Sequence, residues 1–276
     1  MKKHIPNLIT LCNLMCGVFA VIIVISGVMP YTAAAILIFC GAICDFFDGF
    51  TARLLKVVSP IGKELDSFAD LVTFGFAPAA MLSALIQHIL FGGTFFEYYS
   101  GGAQLVWQEY VLIITPFIIV PFSALRLAKF NVDERQHHSF IGLPTPACAL
   151  FFASLVFNPD ALPPLLLAFL SIIFSLLLVA EIPMFSLKFK NFSWHDNKLR
   201  YMFLLLSLAA IIVFSLVAVV VFQLVALREI IVFQLAALPF IIIGYICTSL
   251  VVYAVSRKKK PLPTSPQGEE KEQKMM

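Results

Sequence analysis

The chain has 276 residues, of which 61% are hydrophobic and 13% charged, with a formal net charge of +3 and a mean hydropathy of +0.95. A soluble domain carries about 25% charged residues, so this composition excludes one. The small positive balance gives no reason to expect a nucleic-acid partner, because the basic residues flank apolar runs, where they meet anionic lipid headgroups.

In chain order, eight apolar runs read as spans, each near the roughly 20 residues a membrane-crossing helix needs. They are 8–28, 31–50, 67–91, 105–127, 144–158, 162–184, 201–226 and 230–256, the fifth being short. None alternates with a period of two as barrel strands do, so the expected fold is all-α, a polytopic transmembrane helix bundle. The first run follows Lys2 and Lys3 as a signal sequence would, but no small-residue cleavage site follows its long apolar core. It is expected to be retained. If Met1 is cytoplasmic and eight spans alternate, 18 of the 19 Lys and Arg fall on the cytoplasmic face and only Arg228 lies opposite, as the positive-inside rule requires. The tail from 257 to 276 is Pro-rich and charged, the composition of a disordered end.

The cysteines at 12, 16, 40, 44, 148 and 247 all lie in predicted spans without a Cys-x-x-Cys pair. They read as reduced packing residues rather than zinc ligands. The near-repeat VFQLVAL at 221–227 and VFQLAAL at 232–238 reads as a local duplication around Arg228 and Glu229, and His137 and His138 as solvated loop residues.

Four carboxylates stand out against the apolar background. The stretch CDFFDGFTARLLKVVSPIGKELDSFADL puts Asp45 and Asp48 three apart at the end of the second span, and Asp66 and Asp70 four apart at the start of the third. Each pair shares a helix face. An Asp near a span end costs about 2–3 kcal/mol if left in hydrocarbon, so four together call for an offsetting partner. Hard oxygen ligands from two facing helices suit Mg²⁺ or Mn²⁺, and four carboxylates suffice for two ions. Gly49 leaves backbone open beside the acids, Pro60 and Gly62 turn the chain back, and Arg53 can neutralise a phosphate.

The spacing Asp-x2-Asp-Gly-x2-Ala-Arg-x8-Gly-x3-Asp-x3-Asp is met by Asp45, Asp48, Gly49, Ala52, Arg53, Gly62, Asp66 and Asp70. It resembles the signature of the CDP-alcohol phosphotransferases. The resemblance implies a six-helix core, placed here at 1–184, with two further helices in 185–256, a cytoplasm-facing site and a homodimer. It also implies roles: Asp45 and Asp66 bridging two metals, Asp48 binding one, and Asp70 binding the other and acting as general base. Gly49, Arg53 and Ser59 would contact the nucleotide-lipid, CDP-diacylglycerol. The opening PNLIT supplies Asn7 and Thr10 for the same ligand, with interfacial helix capping as the alternative.

Longer stretches, LDSFADLVTFGFAPA at 65–79, RLAKFN at 126–131 and FIGLPTPA at 140–147, resemble the membrane-embedded, serine-using branch of that family. L-serine is therefore the expected acceptor. Its carboxylate needs an Arg or Lys, which points to Arg126, Lys129 and Asn131, although a plain positive-inside anchor explains the two cations as well. A sister enzyme using glycerol 3-phosphate, inositol or another alcohol stays open, and more distantly a cation-coupled transporter.

Overall fold

The computed structural model describes residues 4–27, 30–57, 59–92, 106–133, 140–157, 162–184, 201–209, 212, 235 and 237–259. Helix α1 is Ile5–Ser26 and α2 is Tyr31–Leu54. A third long rod runs from Pro60 to Phe91 and is composite: α3 at Pro60–Asp70, a π-helical turn at Leu71–Phe76 and α4 at Ala77–Phe91. The fourth is α5 at Trp107–Ile114, a 3₁₀ turn at Thr115–Ile118 and α6 at Ile119–Val132. Then come α7 at Thr145–Leu155, α8 at Pro164–Val179 and α9 at Ala237–Lys259. Residues 201–209 are also helical.

Five of the described rods are long and apolar enough to cross a bilayer, with α7 and α8 as shorter apolar helices. Large apolar side chains such as Ile22, Ile25, Phe46, Phe169 and Phe240 are exposed on their outer faces. A surface of that kind is stable only against lipid, so the chain is a multi-pass membrane protein with an all-α fold.

The helix boundaries follow local chemistry. The third rod begins at Pro60, seven residues before the expected 67, because Ser59 accepts the Gly62 N–H at 3.2 Å and Pro60 supplies a pre-set first turn. Asp66 and Asp70 consequently sit inside a helix rather than at its start. Pro78 offers no N–H to the carbonyl of Phe74, and just before it the Ala77 N–H reaches back five residues to Val72, opening the π turn. Helices α7 and α8 are shorter than the runs 144–158 and 162–184. After α8 the chain turns extended, and Pro183–Met184 (β2) pairs antiparallel with Phe140–Ile141 (β1). Next to this pair Gly142 takes φ +77 and donates its N–H to Ile182 at 2.9 Å. A Cβ there would collide with the Leu178 carbonyl. The expected seventh span, 201–226, lies mostly outside the described residues, as do 93–105, the duplicated VFQL segments and the tail beyond 259.

The rod Pro60–Phe91 is the axis of the bundle. Its most apolar stretch is 83% buried, against at most 33% for any other long rod. Apolar attraction between helices is absent in lipid, so close backbone approach has to hold them. Thr73 supplies it. A Cβ on Gly17 of α1 would lie 2.5 Å from the Thr73 hydroxyl oxygen, and one on Gly41 of α2 would lie 2.5 Å from its methyl. Three helices meet at that point with no room for another carbon, one turn from Asp70.

Candidate active site

One face of α1 carries Thr10, Asn13, Gly17 and Ala20, all buried, at helical spacing within an otherwise apolar span. That face meets α2 and α3, so the polar residues of α1 look onto the acids of the other two. Asp45, Asp48 and Asp66 each bring a carboxylate oxygen to within 4.8 Å of the others. Asp70 lies beside them, with its carboxyl in hydrogen-bonding reach of Asp45. The α2 phenylalanines next to the acids point away, Phe46 and Phe50 stacking on the exposed side with centroids 6.4 Å apart.

The acid cluster has the chemistry of a cation site. Oδ2 of Asp48 and Oδ1 of Asp66 are buried without a hydrogen-bond partner, an arrangement that is costly unless a cation satisfies it. The donors are all hard oxygens, and they come from two helices whose backbones fix their separation. These residues fit a divalent ion such as Mg²⁺ or Mn²⁺.

A cavity of ≈ 310 Å³ opens beside the cluster, and Asp48 and Asp66 form part of its wall. Asn7, Thr10, Gly49, Ser59 and Gly62 line the rest, with Ala52 and Lys63. The signature glycines serve it in different ways. Nothing lies within 4 Å of the place a Gly49 Cβ would occupy, so this backbone faces open space. At Gly62 a Cβ would come 2.9 Å from Oδ1 of Asn7, so the missing side chain lets α1 and α3 close. Thr10 donates to the Pro6 carbonyl at 3.1 Å and stands in hydrogen-bonding reach of Asp48. Arg53 is outside the lining of this cavity and donates from Nε to its own Gly49 carbonyl at 3.0 Å.

Arg126, which does not line that cavity, is buried to 7% exposure and in electrostatic reach of Asp70 and Asp45. Its Nη1 donates to Thr145 Oγ1 at 3.2 Å, its guanidinium lies 5.4 Å over the Phe130 ring, and its Nε is buried without a partner. Arg126 and Lys129 line a second cavity of ≈ 270 Å³. Asn131 does not. Its side chain donates to Ser67 Oγ at 2.8 Å and its carbonyl accepts from Lys63 Nζ at 2.9 Å, so it ties the end of α6 to α3. His137 and His138 lie outside the described residues.

Sequence reasoning missed Asn13, fully buried, whose Nδ2 donates to Asp70 Oδ1 at 3.3 Å. The signal was present: an Asn three residues after Thr10 and four before Gly17, on one stripe of an apolar helix. It also missed Thr73, whose hydroxyl donates to the Asn13 carbonyl at 2.9 Å, and Thr145, although both lie within the stretches 65–79 and 140–147 that carry the family resemblance.

Comparison with known proteins places this geometry in context. The family model described as CDP-alcohol phosphatidyltransferase matches residues 3–190. The chain is 33% identical over 195 residues to the CDP-diacylglycerol–serine O-phosphatidyltransferase of Bacillus subtilis (strain 168), a match that covers 70% of this chain and 93% of that protein. It is 32% identical over 147 residues to the protein of the same name from Helicobacter pylori (strain J99), across 52% of this chain and 54% of that one. It is also similar to the archaetidylserine synthase of Methanothermobacter thermautotrophicus, at 28% identity over 180 residues, 64% of this chain and 68% of that one.

Proposed function

Because this chain belongs to the CDP-alcohol phosphatidyltransferase family, we propose that it transfers the phosphatidyl group of CDP-diacylglycerol to the hydroxyl of L-serine, giving phosphatidylserine and CMP. The observation that carries the reading is the convergence of Asp45, Asp48 and Asp66, two of their oxygens buried and unpartnered, on the wall of a cavity lined by signature residues. The names of the relatives support serine as the acceptor.

In this reading Asp45, Asp48, Asp66 and Asp70 hold two divalent ions, Mg²⁺ or Mn²⁺. Such ions neutralise pyrophosphate oxygens and the charge that develops on departing CMP. The residues of the chain do the rest. Asn7, Thr10, Gly49 and Ser59 seat the nucleotide end of the lipid substrate, with Arg53 at the rim, while the acyl chains stay in the bilayer. Asp70 is not part of the lining of the nucleotide cavity and lies in electrostatic reach of Arg126, which suits the group that meets the acceptor. It takes the hydroxyl proton as the serine oxygen forms its bond to the lipid-bearing phosphorus and the bond from that phosphorus to the CMP oxygen breaks. Asn13 holds Asp70 from behind. A carboxylate is a weak base for an alcohol, so most of the rate comes from orientation and electrostatics. Arg126 takes the serine carboxylate, with Lys129 nearby and Asn131 bracing the helix end.

The same proposal places the protein in the cytoplasmic membrane as a homodimer with its acids facing the cytoplasm. The decisive assay presents purified protein with CDP-diacylglycerol, Mn²⁺ or Mg²⁺, and a panel of alcohols. Phosphatidylserine and CMP in equal amounts are expected. Product from glycerol 3-phosphate or inositol but not serine overturns the acceptor.

A further inference from the structure

The second cavity has a charge pattern of its own. It lies between the C-terminal ends of α6 and α8, with Arg126, Lys129 and the C-cap Asp133 on the first and Leu178–Glu181 on the second. Its volume of ≈ 270 Å³ falls below the roughly 300–1,000 Å³ of pockets that take drug-sized ligands, so it suits a small molecule. The α6 wall carries two cations against the single acid Asp133, and its Arg126 is more than nine-tenths buried with Nε unpartnered. The opposite wall is anionic twice over. Glu181 contributes a carboxylate, and the last turn of α8 contributes the negative end of a 16-residue helix with no basic residue to offset it.

That wall is held in place. The Gly142 N–H donates to Ile182 and the Leu143 N–H to Leu177, both at 2.9 Å, so the chain bracketing Glu181 is clamped to the 140–143 segment. That segment runs on into Thr145, the partner of Arg126. One backbone clasp therefore sets the positions of both charged walls.

We propose that this cavity receives the zwitterionic head of the acceptor, with Arg126 binding its carboxylate and Glu181, beside the α8 C-terminus, binding its ammonium. The inference rests on the serine-transferase reading and adds to it a residue that distinguishes an amino acid from other alcohols. Glycerol 3-phosphate and inositol carry no cation for Glu181 to hold, and ethanolamine carries no anion for Arg126. A serine gripped at both ends presents its hydroxyl toward the acids, since Arg126 is within electrostatic reach of Asp70 and Asp45.

The test is steady-state kinetics of the full chain in lipid nanodiscs with Mn²⁺, comparing wild type with Glu181→Gln and Glu181→Lys. Glu181 is exposed, so neither change disturbs the core. Loss of a charge-assisted contact is expected to raise the serine KM about tenfold or more in Glu181→Gln, and further in Glu181→Lys, with the CDP-diacylglycerol KM unchanged. Competition by 3-hydroxypropionate, which has the carboxylate and hydroxyl but no ammonium, is expected to weaken far less than serine binding. A serine KM within twofold of wild type in both variants overturns the role of Glu181 while leaving serine transfer standing. A wild-type enzyme that ignores serine and uses another alcohol overturns the acceptor reading and this inference together.

Discussion

Asn13 of α1 and Asp70 of α3, 57 residues apart in sequence, are joined by a hydrogen bond of 3.3 Å in a fully buried position, and Asn13 is in turn held by the Thr73 hydroxyl. The acid assigned as general base is thus aimed by a residue on another helix. Asn13→Ala is expected to lower kcat about tenfold with little change in either KM, and to lower stability by about 1–3 kcal/mol for the buried partner it strands. Kinetics paired with thermal unfolding in detergent check both; unchanged kcat at saturating metal would dismiss the positioning role.

Asp70→Asn should behave unlike its neighbours. An amide can still offer one oxygen but cannot accept a proton, so turnover should fall by about 10²–10⁴ while CDP-diacylglycerol binding in the presence of metal survives. Near-wild-type turnover in this variant, measured on folded protein, removes the base.

Asn at 45, 48 or 66 removes a negative charge from a cluster that shares its oxygens within 4.8 Å. Each substitution should raise the Mn²⁺ or Mg²⁺ concentration needed for half-maximal activity by at least about tenfold, along with a loss of maximal rate. An unchanged metal requirement in all three variants would defeat the metal-site reading.

Gly41→Ala and Gly49→Ala, eight residues apart on α2, should have opposite effects. At Gly41 the added methyl meets Thr73 at 2.5 Å and Asn13 Oδ1 at 3.0 Å, so overpacking should cost about 1–3 kcal/mol of stability, eased by Thr73→Ala. At Gly49 nothing stands in the way, so the helix should hold or gain slightly while the methyl intrudes on the cavity and raises the CDP-diacylglycerol KM. Thermal unfolding and substrate titration separate the two. A Gly49→Ala enzyme with normal lipid-substrate KM argues that this backbone does not face the nucleotide.

Arg126→Ala should raise the serine KM much more than that of CDP-diacylglycerol, because a lost carboxylate contact weakens acceptor binding first. Equal effects on both substrates would make Arg126 a structural anchor that only holds Thr145 and Phe130.

Much of the site was legible in the sequence because charge is conspicuous in an apolar chain. The spacing of Asp45, Asp48, Asp66 and Asp70 announced a cluster on facing helices, and Asn7, Thr10, Gly49 and Ser59 line one cavity. What stayed hidden depends on contacts between distant segments. Asn131 has the same polarity whether it binds a ligand or ties α6 to Ser67, and only the fold distinguishes the two. Glu181 falls inside the run 162–184 read as a span, and only the structure ends α8 at Val179 and clamps the neighbours of Glu181 to the 140–143 segment. Span ends were misjudged where hydropathy and capping disagree: residues 60–66 are polar enough to read as a loop, yet Ser59 and Pro60 start a helix there.

The π turn at Leu71–Phe76 sets the rotational phase of the central rod. An α-helix advances about 100° per residue, so the one residue that a π turn absorbs rotates everything before it relative to everything after it. Asp66 and Asp70 can therefore look toward the other two acids while Ala77–Ile86 stays buried among its neighbours, though no single uninterrupted stripe would serve both. Closing the π turn to α geometry with every residue kept would swing the two carboxylates by about 100° off target, whereas deleting one residue within 71–76 would let a plain α-helix run through with both ends in their present phase. The central rod behaves as two helices locked at a fixed dihedral, and the four acids converge only at that setting.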